Sequence, residues 1–234
     1  MPTVSHAVQV VEAQLRAGQL ECLALGCGGV LAPWWYGVSR EIAGLEGAAE
    51  RVRPRRAICG SCGKTRVLLP DTMLRRRQYR VEVIGAALVA AAGGVPWTRI
   101  AARIGVPFET VRGWLRRFTR RAEVVRAWLL GLLDALADDP LLPAGEAGAV
   151  AGALSVLAEL HRQMPARWPL VAALSPWQLA ARLSRSGLLA PAWPPGTINA
   201  SSPVTSPQAG RHPGWPGPGP QGRADREEEP GELH

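Results

Sequence analysis

Lysine is almost absent from this chain of 234 residues, in which Lys64 is the only lysine among 27 basic residues. Arginine therefore carries nearly all of the positive charge, and the formal net charge is +8. Arginine is suited to bidentate contacts with phosphate groups and with guanine, so this bias is compatible with a nucleic-acid partner. A GC-rich coding sequence would produce the same bias, and the positions of the arginines are therefore more informative than their number.

The sequence also lacks a long apolar run. The apolar stretch 83–98 is interrupted by Gly93, Gly94 and Pro96, and it is shorter than the roughly 20 apolar residues that span a membrane. The first twenty residues show no basic start followed by a continuous apolar stretch, as a signal peptide would. We therefore expect a cytoplasmic chain without a membrane segment, long enough for one or two domains with a sizeable core.

Positive charge is concentrated in one part of the chain. Between Arg51 and Arg121, seventeen basic residues stand against three acidic ones, a surplus of 14 positive charges. The net charge of +8 then leaves −6 for the rest of the chain. A basic module is thus joined to a mildly acidic remainder, which codon bias alone would not produce and which favours an acidic partner for the module.

Cysteine occurs only four times, in two separated pairs: Cys22 with Cys27, and Cys59 with Cys62. In a reducing cytoplasm, paired cysteines favour a metal site over disulfides. The second pair is the stronger signal, because its C-x2-C spacing with a glycine after each cysteine lets the loop close tightly on a metal, whereas C-x4-C spacing is less typical. The pattern predicts a zinc ribbon holding a structural zinc on four sulfur ligands, with strands at QLECL, RRAIC and TRVLLP. Buried cysteines without a ligand and a redox role are the alternatives.

Residues 99–118, RIAARIGVPFETVRGWLRRF, have the spacing of two short helices joined by a turn. Gly105 can adopt the left-handed conformation that ends a helix, and Pro107 suits the first turn of the next one. The apolar residues of each segment fall on one face at helical spacing. They are Ile100, Ala101 and Ile104 in the first segment, and Val111, Trp114, Leu115 and Phe118 in the second. With a preceding helix over 80–92, the pattern predicts a trihelical helix-turn-helix domain.

The outward side of the second helix is the predicted DNA-binding face. The N-terminal half of a recognition helix enters the major groove, where arginine reads guanine, glutamate accepts from cytosine, and apolar groups touch the thymine methyl. The candidate base-reading residues are Phe108, Glu109, Thr110, Arg112 and Arg116. The candidate phosphate contacts are Arg99, Arg103, Arg117, Arg120 and Arg121. The run Arg75, Arg76 and Arg77 is either a basic arm for the minor groove or a solvated connector. The alternative for the whole face is a solvated basic helix in an all-helical domain.

Four segments follow one another in the order CGGVLAPW, RRAICGSCGKTRVLLP, VEVIGAAL and RIAARIGVPFETVRGWLRRF. Together they resemble small actinobacterial proteins with a zinc ribbon and a helix-turn-helix, grouped as a domain of unknown function. They are also similar to the N-terminal DNA-binding region of some insertion-sequence transposases. The resemblance covers roughly residues 10–125, and more loosely the stretch to about 199. It implies a DNA-binding protein associated with mobile elements, without a known reaction. The family pattern has a cysteine three positions before Cys27, where this chain has Ala24.

Three further helices are predicted after the helix-turn-helix, at AEVVRAWLLGLLDALA, AGAVAGALSVLAELHRQM and SPWQLAARLSRSGLL. Their apolar stripes either pack together and against the trihelical unit or form a dimer interface. The Pro/Gly-rich end predicts disorder. The expected fold is mainly α, with a small β zinc ribbon, a helix-turn-helix, a helical region and a disordered tail. The expected boundaries are 1–18 for an N-terminal helix, 19–70 for the ribbon, 71–122 for the DNA-binding domain, 123–190 for the helical region and 191–234 for the tail.

Two classes of function fit this organisation. The first is a sequence-specific binder of double-stranded DNA, either a transcriptional regulator or a transposase-like recognition module, acting as a homodimer or with a transposase partner. The second is a transposase enzyme, whose two-metal chemistry needs clustered carboxylates. The acidic residues after the helix-turn-helix fall in helical or turn-like sequence, without a run of strands to carry them. We therefore expect a binding protein with structural zinc and no catalytic residues.

Overall fold

Helices form most of the regular structure. The computed structural model of the chain describes residues 1–136, 148–191 and 193–194. The α-helices in these ranges are α1 (Val8–Arg16), α2 (Val81–Ala92), α3 (Trp97–Ile104), α4 (Phe108–Thr119), α5 (Ala122–Leu136), α6 (Ala149–Arg167) and α7 (Pro176–Leu183). The strands are β1 (Thr3–Val4), β2 (Leu31–Tyr36), β3 (Arg40–Ala43), β4 (Ala49–Val52), β5 (Arg55–Cys59), β6 (Thr65–Val67) and β7 (Leu69–Pro70). In these ranges no helix is both long and apolar enough to cross a membrane.

The strands make three small sheets. The largest is antiparallel with the order β2-β5-β6, the hairpin β3–β4 forms the second, and β1 pairs in parallel with β7. The predicted strand RRAIC is β5, and the predicted strand TRVLLP is divided into β6 and β7. The predicted strand QLECL is wrong, because only Glu21 forms a bridge there, to Val30. The chain turns back at once, with the Cys22 N–H bonded to the carbonyl of Gly29.

Helices α2, α3 and α4 pack through the apolar residues that their sequence spacing predicts. Ile100, Val111 and Trp114 are buried, and the Tyr79 ring meets the Trp114 ring edge-on, with centroids 5.1 Å apart. Gly105 ends α3 at φ 65°, ψ 31°, in the left-handed region where glycine carries no side-chain penalty. Pro107 lies just before α4 as its N-cap rather than inside the first turn. Only residues 105–107 therefore separate α3 from α4.

Helices α5, α6 and α7 complete the same hydrophobic core. Leu129 and Leu133 of α5 are buried together with residues of α2 and α4. Trp177 of α7 lies against Gly85 of α2, where a Cβ atom would overlap its indole ring. The predicted boundary between 122 and 123 therefore does not separate two cores. The apolar stripes of these helices pack within the chain, which is the first of the two alternatives considered from the sequence.

The predicted tail, 191–234, lies almost entirely outside the described residues. Its described residue Trp193 is buried, and its ring meets that of Trp128 on α5 edge-on at 5.1 Å. The predicted disorder from 191 is therefore wrong for Trp193, because this indole contributes apolar surface to the core. Packing reaches Trp193, three residues beyond the predicted end of the helical region at 190.

The N-terminal segment covers the β2-β5-β6 sheet. Helix α1 lies within the predicted range 1–18 and buries Val11 and Leu15 in a second, smaller core shared with Leu31 and Ala57 of the sheet. An ion pair of 2.6 Å between Glu12 of α1 and Arg55 of β5 fastens the helix to the sheet. This small core contains two of the four cysteines, Cys22 and Cys59.

Candidate metal centre and nucleic-acid interface

The four cysteines converge at one end of the β2-β5-β6 sheet. The sulfur atoms of Cys22 and Cys62 are 3.8 Å apart, those of Cys27 and Cys59 are 3.5 Å apart, and all four lie within 4.8 Å of one another. These separations exceed the roughly 2.05 Å of a disulfide bond, and the four thiols are free. A tetrahedral metal ion with metal–sulfur bonds of about 2.3 Å has sulfur–sulfur edges of about 3.8 Å. The cluster therefore fits a tetrahedral metal site made of four thiolates.

Two loops bring the cysteines together. In the second pair, Cys59 ends β5, and its sulfur accepts a hydrogen bond from the backbone N–H of Cys62 at 3.5 Å. In the first pair, the N–H of Cys27 donates to the carbonyl of Ala24 at 3.1 Å, forming a turn. This turn shortens the path between the ligands, so Cys22 joins the cluster in spite of the C-x4-C spacing. The proteins that the sequence resembles have a cysteine where this chain has Ala24. The four cysteines of this chain nevertheless form one cluster.

Gly29 marks where the two loops approach most closely. A Cβ atom at this position would overlap Ser61 Oγ and would lie 2.7 Å from the Cys59 sulfur. Real Cβ atoms do not tolerate such contacts, so only glycine fits between the loops without displacing one of them. Sequence reasoning did not identify this requirement for glycine at position 29, although the two glycines that follow Cys27 offered a signal.

Hydrogen bonds from backbone N–H groups favour the thiolate form of Cys22 and Cys59. The pKa of Cys59 is lowered to about 6, mainly because the N–H of Cys62, and then that of Ser61, donate to its sulfur. The pKa of Cys22 is also lowered, chiefly by the N–H of Ala24. The pKa of Cys27 is raised to about 12: the N–H of Gly29 lowers it, but the thiols of the other three cysteines together with burial outweigh this effect. A thiolate, the form that binds metals, is thus favoured at Cys59 near neutral pH.

The predicted DNA-binding residues lie at the surface. Ten are exposed: Arg75, Arg76, Arg99, Arg103, Phe108, Glu109, Arg112, Arg116, Arg117 and Arg120. Arg77, Thr110 and Arg121 are half-buried. No described carboxylate forms an ion pair with the arginines at 99, 103, 116, 117, 120 and 121, whereas Arg112 pairs with Glu109 at 3.5 Å. The α3–α4 face therefore keeps a surplus of uncompensated positive charge.

An aromatic pair stands at the N-terminal end of α4. Phe108 is 53% exposed, and its ring is 5.7 Å from that of Trp97, the first residue of α3. The guanidinium of Arg112 lies over the Trp97 ring at 5.9 Å from the centroid. Trp97 thus belongs to this surface, and sequence reasoning missed it because it did not include Trp97 in the first predicted helix. The Trp97 ring and Glu109 together orient Arg112.

The arginine run 75–77 lies in an ordered turn. The N–H of Arg75 donates to the carbonyl of Ser186 at 2.9 Å, and the N–H of Arg77 donates to that of Leu74 at 3.1 Å. Burial, followed by the charge of nearby Arg117, lowers the pKa of Arg77, and Tyr79, two residues later, contacts Trp114 of α4. The run is therefore a fixed basic turn beside α4, and an extended minor-groove arm would require these backbone bonds to break.

Comparison of the chain with protein-family models, with curated proteins and with solved structures found no match. The resemblance to zinc-ribbon and helix-turn-helix proteins therefore rests on the sequence segments that carry it. What the chain does has to be inferred from the cysteine cluster and from the surface of α3 and α4.

Proposed function

We propose that this protein binds duplex DNA in a sequence-specific manner through α3 and α4, which form a helix-turn-helix. The observation that carries the proposal is the exposed, uncompensated basic surface on α4, whose opposite side is buried through Val111, Trp114 and Phe118. A helix with one face fixed in a core and its N-terminal half exposed can enter the major groove as a rigid unit. The alternative, a solvated basic helix, has the same burial, and DNA binding distinguishes the two.

Each outward residue has a role that follows from its chemistry. Arg112 and Arg116 are one helical turn apart, so they can reach neighbouring base pairs and bind guanine O6 and N7. Glu109 can accept from a cytosine amino group, and Phe108 can contact a thymine methyl. Because Glu109 and Trp97 already orient Arg112, part of the entropy cost of ordering this side chain is met before DNA binds.

The basic residues around α4 are proposed to bind phosphates. Arg99 and Arg103 extend the basic surface along α3, and Arg117 and Arg120 extend it to the C-terminal end of α4. Arg117 is folded back on its own helix, with Nη1 donating to the carbonyl of Gly113 at 3.0 Å. Phosphate contacts fix the orientation of the protein on the duplex without reading sequence.

The metal that we propose for the cysteine cluster is zinc, in a zinc ribbon whose sheet is β2-β5-β6. Four thiolates fill a tetrahedral coordination sphere and leave no position for a reactive water, so the zinc would be structural. Its role would be to hold the loops at 22–29 and 59–63 together at the end of a sheet whose own core is small. Cys22, Cys27, Cys59 and Cys62 are the proposed ligands.

We propose a binding role rather than catalysis. Beyond α4, the described carboxylates include Glu123 and Glu159, which pair with Arg126 and Arg162 on their own helices at 3.0 and 2.7 Å. The acidic residues at 138, 139 and 146 lie outside the described ranges. A regulator and a recognition module of a mobile element would share the same DNA-binding surface, and the resemblance favours the second.

The proposal is tested by selecting bound duplexes from a random pool and measuring affinity for the selected site and for random duplex. Arg112→Ala should weaken binding to the selected site by about 1–3 kcal/mol and relax the preference at one base pair. Arg103→Ala and Arg120→Ala should instead weaken binding to both duplexes alike and reduce the salt slope by about one unit. Arg126→Ala is the matched control, since Arg126 belongs to α5 and pairs with Glu123.

Two outcomes would contradict the proposal. If no sequence is enriched and the full chain binds random duplex no better than a neutral protein does, DNA is not its ligand. If duplex binding is real but Arg112→Ala behaves like Arg126→Ala on both duplexes, α4 is not the recognition helix.

A further inference from the structure

The β2-β5-β6 sheet has an outer face whose residues are exposed or half-buried. Strand residues alternate between the two faces of a sheet, and Leu31, Ala57 and Cys59 are buried on the inner face, beneath α1. The strand register places six residues on the opposite side, in two rows. The first row is Trp35, Arg56 and Val67. The second row is Ala32, Ile58 and Thr65. We call these six residues the outer sheet face.

Two exposed indoles dominate this region. Trp35 is 63% exposed, and its neighbour Trp34, which lies at the β-bulge between Pro33 and Trp35, is 56% exposed. Tyr36 is different, because the guanidinium groups of Arg55 and Arg53 cover its ring at 4.6 and 5.1 Å. Two adjacent tryptophans exposed to water lose the favourable free energy of apolar burial. An exposed apolar patch of this kind is typical of a ligand-binding surface.

The charge around the indoles is positive. The outer sheet face contains no carboxylate, and Arg56 lies at its centre, directly across from Trp35. Its Nη2 donates to Thr65 Oγ1 at 3.0 Å, which holds the guanidinium across the sheet, while its Nε is buried without a hydrogen-bond partner among the described residues. Residues 49–67 include six basic side chains, of which Arg55 pairs with Glu12. They include one carboxylate, Glu50, which pairs with Arg80.

We infer that the outer sheet face, with Trp34 beside it, is a second nucleic-acid site that binds unpaired nucleotides. Flat indole rings next to a fixed guanidinium are the combination that stacks bases and attracts phosphates in proteins that bind single strands. A duplex offers its bases only at their edges, so stacking here requires unpaired DNA or RNA. The site is separate from α4 in residues and in chemistry, and it does not depend on duplex recognition by α4.

The test measures binding of the full chain to 15-nucleotide dT and rU oligomers and to an abasic 15-mer with the same backbone. Trp34→Ala combined with Trp35→Ala should weaken dT binding, rU binding or both by about tenfold or more, since stacking contributes about 1–3 kcal/mol per base. Binding of the abasic strand should not change. Trp35→Phe should lose much less, because it keeps a ring, and Trp168→Ala is the matched control for loss of another exposed tryptophan.

The comparison of dT with rU shows whether DNA, RNA or both are bound. Equal affinity of the double variant and the parent for both oligomers would overturn the inference, and so would an equal loss on the abasic strand, which would indicate charge alone. A fall in self-association, measured by sedimentation, with unchanged oligomer binding would instead identify the face as a protein interface. Arg112→Ala should leave oligomer binding intact, so failure here is distinguishable from failure of the duplex proposal.

Discussion

A buried carboxylate, that of Asp71, connects the N-terminal segment to α7. The Asp71 side chain is fully buried, and its Oδ2 accepts hydrogen bonds from Nε and Nη2 of Arg182 at 2.8 and 2.6 Å. Its Oδ1 lies 3.1 Å from Nδ1 of His6 and 3.5 Å from Nε2 of Gln178. Since His6 precedes α1 and Arg182 belongs to α7, this carboxylate connects segments that are far apart in the sequence.

Arg182→Ala should therefore lower the free energy of unfolding by about 3 kcal/mol. Removing one partner of a buried ion pair costs about 3–5 kcal/mol, because the remaining charge is uncompensated. We expect the lower end, since the Arg182 side chain is 36% exposed and His6 and Gln178 still contact Asp71. Asp71→Asn should cost less, because Arg182 can turn toward water while the new amide oxygen can still accept a hydrogen bond.

The measurement is urea unfolding of the metal-loaded chain, followed by circular dichroism. Arg126→Ala provides the control, since it removes an arginine from an exposed pair in which the side chains of Arg126 and Glu123 are 43% and 65% exposed. Exposed pairs contribute about 0.5 kcal/mol or less. A loss for Arg182→Ala that is no larger than this would refute the view that Asp71 depends on Arg182 for compensation.

Two further predictions concern the metal and the helical core. Purified protein should contain about one zinc per chain, and chelation should unfold the β2-β5-β6 sheet while α2–α7 persist. Cys59→Ser should be more damaging than Cys22→Ser, because Cys59 is part of β5, the central strand of the sheet. Metal-free protein with an unchanged amide hydrogen-exchange pattern after chelation would contradict this. Gly85→Ala should destabilise the core by about 1–3 kcal/mol through overlap with Trp177, whereas Gly131→Ala, with open space around it, should be neutral or stabilising in thermal unfolding. Equal effects of the two substitutions would show that the Gly85 contact is unimportant.

Local patterns predicted much of this fold because each signal acts over a few residues. Gly105 ends α3 where a left-handed residue is needed, and the spacing of Val111, Trp114 and Phe118 identified the buried side of α4. The set of four cysteines followed from their rarity, although only the fold could show that Cys22 reaches the others. These features depend on helix geometry and on turn conformation, which the sequence displays directly.

Other features depend on contacts between distant residues, for which no local sequence pattern provides a signal. β2 carries exposed tryptophans instead of alternating apolar and polar residues, so its pattern did not indicate a strand. The Asp71–Arg182 pair joins residues 111 positions apart. The fit of Trp177 against Gly85 depends on how α7 packs on α2, which neither helix pattern specifies.

The central claim, that α4 enters the major groove of DNA, is tested most directly by titrating the isotope-labelled 234-residue chain with the selected duplex and following backbone amide resonances. The account predicts that the largest changes fall on residues 108–116, that smaller ones fall on 97–103 and 75–77, and that α6 is unaffected. Changes confined to other surfaces, or no changes at duplex concentrations well above that of the protein, would contradict it.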